Sequence, residues 1–201
     1  MTDTTLTSSP ARWRVVDIVV ASIVAVASGL LLALWNLGYD AITAPLAAVV
    51  PGLQALLYGI WLIPGVLVGL IVRRPGAALY GELLAATVSA LIVSQWGLLT
   101  LESGLVQGLA AELVFAAFLY RRWTLPVAML AGAAAGVGMA INDLILYYVG
   151  ADTPFAIVYT AAAIVSGAVI AGLGSWLLVR GIARTGALSR FAAGRDSAVR
   201  V

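Results

Sequence analysis

Three carboxylates, Glu82, Glu112 and Asp143, stand inside otherwise apolar sequence. A carboxylate facing lipid costs roughly 2.5–3.5 kcal/mol on insertion scales, so such groups face a protein interior or a cavity and mark a functional site by default. There they can pair a cationic ligand or relay protons. They can also tie helices together by bonding a Ser, a Gln or a backbone group. Other chemistry is excluded by composition. The chain has no cysteine and no histidine, so it lacks a thiol nucleophile, the commonest general base and the commonest metal ligand. It has no lysine, which removes Schiff-base chemistry. There is no Walker motif, no serine in a nucleophile motif, and no acidic group dense enough for a metal cage. No catalytic residue, metal site or cofactor is expected.

The elements that must position these acids are membrane helices. The chain has 201 residues, 63% hydrophobic and 10% charged, against about 25% charged in a soluble domain. Its apolar blocks are about 20 residues long, the length that crosses a hydrocarbon core of about 30 Å. The reading is an all-α membrane protein, one six-transmembrane-helix bundle over 12–180. Its spans fall at 13–37, 52–72, 76–96, 104–121, 125–149 and 155–180. A Thr/Ser-rich tail at 1–11 reads as disordered, and 181–201 as a basic tail. Pro-Gly at 51–52 and 75–76, Gly104 and Pro154 punctuate the spans. The "AVA" at 25–27 resembles a cleavage site, but the apolar run continues to Trp35, so the first span reads as retained.

All eleven basic residues are arginines, at 12, 14, 73, 74, 121, 122, 180, 184, 190, 195 and 200. Six crossings put all of them on one side and leave Asp40, Glu102 and Asp152 on the other. The positive-inside rule then makes both termini cytoplasmic. Trp13, Trp35, Trp96 and Trp123 sit near span ends, as interfacial anchors do.

At about 1.5 Å per residue, Glu82 lies about 12 Å in from Arg74 and Glu112 about 13 Å in from Arg121. The two read as companions at similar depth on neighbouring helices. Asp143 falls near the outer surface, and Asp17 reads as interfacial. Helical spacing aligns Glu82, Ser89, Val93 and Trp96 on one face. It aligns Gln54, Tyr58, Trp61 and Gly65 on a second, and Gly136, Met139, Asp143 and Tyr147, beside Asn142, on a third. Gln107 and Tyr159 join the outer half. The candidate binding residues are therefore Tyr58, Trp61, Glu82, Ser89, Trp96, Gln107, Glu112, Asn142, Asp143, Tyr147 and Tyr159. Aromatic faces attract cations, and acids pair the charge. A mostly apolar pocket with a few such groups suits a flat, cationic, hydrogen-bonding ligand.

Two stripes of small residues recur at four-residue spacing: Ala21, Ala25, Gly29 and Ala33, then Ala128, Gly132, Gly136 and Ala140. Such stripes let helix backbones approach closely. On pattern alone they serve internal packing, and a dock for another membrane subunit is the alternative.

The stretches "WRVVDIVVASIVAVASG", "GIWLIPGVLVGLIVRRPGAALYGELLAA" and "QGLAAELVFAAFLYRRW" closely resemble the YkoE-like family of S components. These belong to energy-coupling-factor (ECF) transporters, a branch of the ABC importers, and the resemblance covers nearly all of 13–180. It implies a substrate-capture subunit of the bacterial plasma membrane that binds thiamin or its hydroxymethylpyrimidine precursor from outside. It implies partners too: a transmembrane coupling protein and two cytoplasmic ATPases. Ala21 and Ala25, extended by Gly29, match the Ala-x-x-x-Ala motif by which S components contact the coupling protein. Thiamin-binding S components of other groups use a histidine in the site, and this chain has none.

Two further readings stay open at this stage. A stand-alone proton-coupled carrier would use Glu82 and Glu112 as relay groups, though no inverted repeat is evident between the halves. A purely structural membrane subunit would leave the outer aromatics as anchors.

Overall fold

Proline and glycine set where the helices begin and change pitch. The computed structural model describes residues 12–93, 95–189 and 191–194. The tail at 1–11 and positions 190 and 195–201 of the basic tail lie outside the described residues. Helix α1 spans Val15–Val49. A 3₁₀ segment, Leu53–Leu62, leads into α2, Ile63–Val72. Then come α3, Ala77–Ile92, α4, Leu99–Ala117, and α5, Leu125–Leu146. The last long rod is α6, Thr153–Ser166, a π-helical stretch, Gly167–Leu173, and α7, Gly174–Arg184. Among the described residues there is no strand. Five of these rods are long and apolar enough to cross a membrane, and α3 is a shorter apolar helix.

Contacts show how the rods run. Ser22 meets Tyr80 and Asn36 meets Ser89, so α1 and α3 lie side by side in the same direction. Gly65 faces Glu82 and Gly69 faces Ala78, so α2 runs against α3. Gly104 and Gly108 set α4 against α3 in the same way, and Gly138 sets α5 against Val106 and Ala110 of α4. The rods alternate, and arginines from separate turns meet at one end. There Asp17, fully buried, is bonded by Arg14 at 2.7 Å and lies 3.4 Å from Arg74. Trp13 Nε1 donates to the Pro75 carbonyl, and Arg73 lies over the Trp123 ring. Asp17 is thus an ion-paired clamp between α1 and the α2–α3 turn. The segment after α7 folds back to this end, where Leu188 and Phe191 are buried and Arg14 lies over the Phe191 ring.

Two segments depart from α geometry, and they face each other. Pro64 has no N–H, and its ring crowds the carbonyl of Ile60 four residues back. The chain before it winds as 3₁₀ helix instead, with the Ile63 N–H bonded to Ile60 three residues away. Ten residues of 3₁₀ helix is long, since runs beyond about 3–4 are uncommon. Opposite lies the π stretch, whose Gly167 packs backbone to backbone on Gly132 of α5, while Gly136 meets the Ala163 carbonyl. The second small-residue stripe is therefore internal packing.

The first stripe is buried within the chain as well, rather than presented as an open face. Ala21 and Ala25 are fully buried, and a Cβ on Gly29 would strike the Ala85 carbonyl and Val88 of α3. Helix α3 packs in the groove that Gly29 opens. Gly167→Val should lower unfolding stability in detergent by about 1–3 kcal/mol, the usual cost of overpacking. Thermal melts of the purified variant check this.

Candidate functional site

The helices converge around one cavity, and the pitch of the 3₁₀ segment decides which side chains wall it. Three residues complete a turn of 3₁₀ helix, so Tyr58 and Trp61 stand one above the other and both line the cavity. Gln54, placed on this face by α-helical spacing, is turned aside and accepts the Gly52 N–H. Trp61 is the hub. Its ring lies 4.8 Å from Tyr58, 5.0 Å from Tyr39 and 5.7 Å from Trp96, each within the range of favourable aromatic pairs. Trp61 Nε1 donates to Asn36 Oδ1 at 2.8 Å, and Asn36 Nδ2 donates to Ser89 Oγ and the Val93 carbonyl. One amide thus fixes the indole and joins α1 to α3. Trp96 is a wall of the site as well as a span-end residue.

Acidic groups stand in two parts of the lining. Glu82 is buried, and Oε2 accepts the Gly65 N–H at 2.7 Å. That amide lies in the first turn of α2, where the helix leaves N–H groups without intrahelical partners. Asp143 accepts the Tyr159 hydroxyl, and Tyr159 packs at 5.1 Å from Tyr148. Among the described residues no arginine lines the cavity. The cavity holds about 120 Å³.

Nine of the eleven residues expected to bind ligand line this cavity: Tyr58, Trp61, Glu82, Ser89, Trp96, Gln107, Asp143, Tyr147 and Tyr159. Asn142 does not. It stands one layer behind, donating to Ser103 Oγ, which does line it. Glu112 is the substantive correction. Its Oε1 accepts from the Gly76 N–H at 2.6 Å and the Tyr120 hydroxyl at 2.8 Å, and Oε2 accepts from the Ala78 N–H at 2.8 Å. It caps the N-terminus of α3, where a carboxylate meets free N–H groups and the positive end of the helix dipole. The depth estimate assumed that α4 runs to Arg121. The helix stops at Ala117, and Leu119 and Tyr120 turn the chain back with φ of 54° each.

The sequence reading missed Asn36, Tyr39, Thr100, Ser103 and Tyr148. For the first two a signal existed. Buried Ala25, Leu32, Asn36, Tyr39 and Thr43 continue one helical stripe past the expected end of the first span, because α1 runs on to Val49. Thr100 and Ser103 precede the expected start of the fourth span but belong to α4, which begins at Leu99, and Tyr148 follows the end of α5 at Leu146.

A helical bundle built around an aromatic, acid-bearing cavity is the form of a membrane protein that captures a small molecule for transport. Residues 16–138 match the family model described as ABC-type cobalt transport system, permease component. The chain is 33% identical over 185 residues, 92% of each chain, to a Bacillus subtilis (strain 168) protein named "Putative HMP/thiamine permease protein YkoE". It superposes on a crystal structure of an S-component of ECF transporter with TM-score 0.84 and 33% identity, covering 92% of this chain and 93% of the other. The chain belongs to the YkoE-like family of ECF-transporter S components, multi-pass proteins of the bacterial plasma membrane.

Glu112→Gln should cost about 2 kcal/mol of stability, the scale of a charge-assisted hydrogen bond. It should leave affinity for any cavity ligand unchanged within about twofold, since the residue is a cap outside the cavity. Denaturation and binding on the same preparation check both halves.

Proposed function

We propose that this S component captures hydroxymethylpyrimidine or thiamin from outside the cell. It hands the ligand on through a transmembrane coupling protein driven by two ATPases. The observation that carries the ligand class is a ring-sized cavity, walled by Tyr39, Tyr58, Trp61 and Trp96, that holds two carboxylates and, among the described residues, no arginine. An aminopyrimidine presents a flat π face to the indoles. Its amino group donates to a carboxylate, and the adjacent ring nitrogen, once protonated, donates to the second carboxylate oxygen. The cavity's 120 Å³ is close to the roughly 150 Å³ of an apolar cavity that takes up benzene. One six-membered ring fills it, and the second ring of thiamin would lie toward the open mouth. A cobalt ion suits the site poorly: among the described residues no group of three His, Cys, Asp or Glu side chains could hold a metal.

A proton-coupled carrier built on Glu82 and Glu112 loses one of its two relay groups, because Glu112 is engaged by backbone amides and Tyr120. The reading keeps six crossings with both termini in the cytoplasm. In its support, Arg14 and Arg74 gather on one buried aspartate, and five rods plus α3 alternate in direction.

Titration of tryptophan fluorescence with hydroxymethylpyrimidine and with thiamin tests the capture. Saturable quenching is expected, with the pyrimidine bound at least as tightly as thiamin. Glu82→Gln and Asp143→Asn should each weaken it about tenfold or more, since a charge-assisted hydrogen bond is worth about 1.5–3 kcal/mol. No response from folded protein would remove the ligand assignment. Topology has its own test in this cysteine-free chain. On intact cells an impermeant maleimide should label Ala151→Cys and spare Arg122→Cys; the reverse pattern would invert the orientation.

A further inference from the structure

The 3₁₀ segment carries two of the aromatic walls, yet a ten-residue run of this pitch does not hold itself. Three polar side chains clamp it. Gln54 accepts the Gly52 N–H at its start, and Glu82 accepts the Gly65 N–H just past its end. In the middle stands Ser166, the last residue of α6, buried at 2% exposure. The Gly59 N–H donates to Ser166 Oγ at 2.7 Å, and the Ser166 hydroxyl donates to the Leu56 carbonyl at 2.7 Å. Leu56 and Gly59 are the acceptor and donor of one 3₁₀ turn, so the hydroxyl bridges the pair whose spacing defines the pitch. Gly59 permits the approach, since a Cβ there would overlap the Ser166 backbone. The bridged turn contains Tyr58, and Trp61 follows within one turn. Ser166 itself does not line the cavity.

We infer that Ser166 is a positioning residue, setting the aromatic wall in register through the 3₁₀ backbone. The geometry gives the size of the effect. Three residues advance 360° in a 3₁₀ helix and about 300° in an α-helix, so relaxation to α pitch would swing Trp61 about 60° relative to Tyr58. Trp61 would then leave Asn36 and its edge-on packing against Tyr39 and Trp96. The effect on affinity rests on the capture proposed above; the effect on ring register does not.

The test compares wild type, Ser166→Ala and Trp61→Phe. Near-UV circular dichroism of the ligand-free proteins reads the coupling of Trp61 with its neighbours, taken as the difference between wild type and Trp61→Phe. Ser166→Ala should lose most of that signal and bind hydroxymethylpyrimidine at least tenfold more weakly, with far-UV spectrum retained. An unchanged near-UV spectrum, or a lower melting temperature with unchanged affinity, would reduce Ser166 to ordinary packing and overturn the inference. If wild type binds neither pyrimidine nor thiamin, the capture reading fails by itself and the ligand-free spectrum alone decides on Ser166. Should Ser166→Ala not fold in detergent, Ser166→Cys keeps an atom at the γ position, weakens both bonds and carries the same comparison.

Discussion

In hydrocarbon, every backbone N–H and C=O must find its partner within the protein. A regular helix meets that demand alone. A chain interrupted by Pro64, or turned sharply at Gly76, cannot, and side chains from neighbouring helices complete it. Glu82 serves the Gly65 amide, Glu112 serves the amides of Gly76 and Ala78, and Ser166 serves the turn from Leu56 to Gly59. Each of these bonds crosses between elements. Local irregularity and tertiary contact are thus one feature, and the cavity stands on it.

Backbone satisfaction also explains why the two acids have different roles. A carboxylate beside free helix amides is held whichever helix supplies it. Glu112 is consumed by that role, with Tyr120 adding a further hydrogen bond. Tyr120 lies in the turn after α4, where burial and the bond to Glu112 push its hydroxyl pKa up to about 12. Glu82 gives one oxygen to Gly65 and still lines the cavity. Glycine makes the space for all this. Gly65 and Gly108 lie against the Glu82 side chain, where any Cβ would intrude. The hub at Trp61 then follows from one amide, Asn36, which joins the indole to α3.

Much of this was legible in the residues. Apolar block length and the scarcity of charge define a membrane helix bundle, because the thickness of hydrocarbon sets a length that composition must match. Trp61, Glu82, Asp143 and Tyr159 announced a pocket because polar and aromatic groups at that depth need a protein environment. Reading by a uniform 3.6-residue period failed where the period changes. It put Gln54 on the pocket face, although the 3₁₀ segment turns it away; the first span ended before Tyr39 for a different reason, since α1 keeps its period on to Val49.

What the sequence determined by itself is the class of the molecule: helices of membrane length, arginines at one end, aromatics and acids held in the apolar interior. These follow from transfer energies that act on each residue separately. Tertiary structure alone decided which acid lines the cavity, that both small-residue stripes are buried, and which pitch the aromatic wall adopts. Those outcomes depend on what a neighbouring helix offers. Ala21 and Ala25 are buried because neighbouring helices close over them, Glu112 is a cap because α4 stops at Ala117, and Tyr58 meets Trp61 because Ser166 reaches the turn between Leu56 and Gly59.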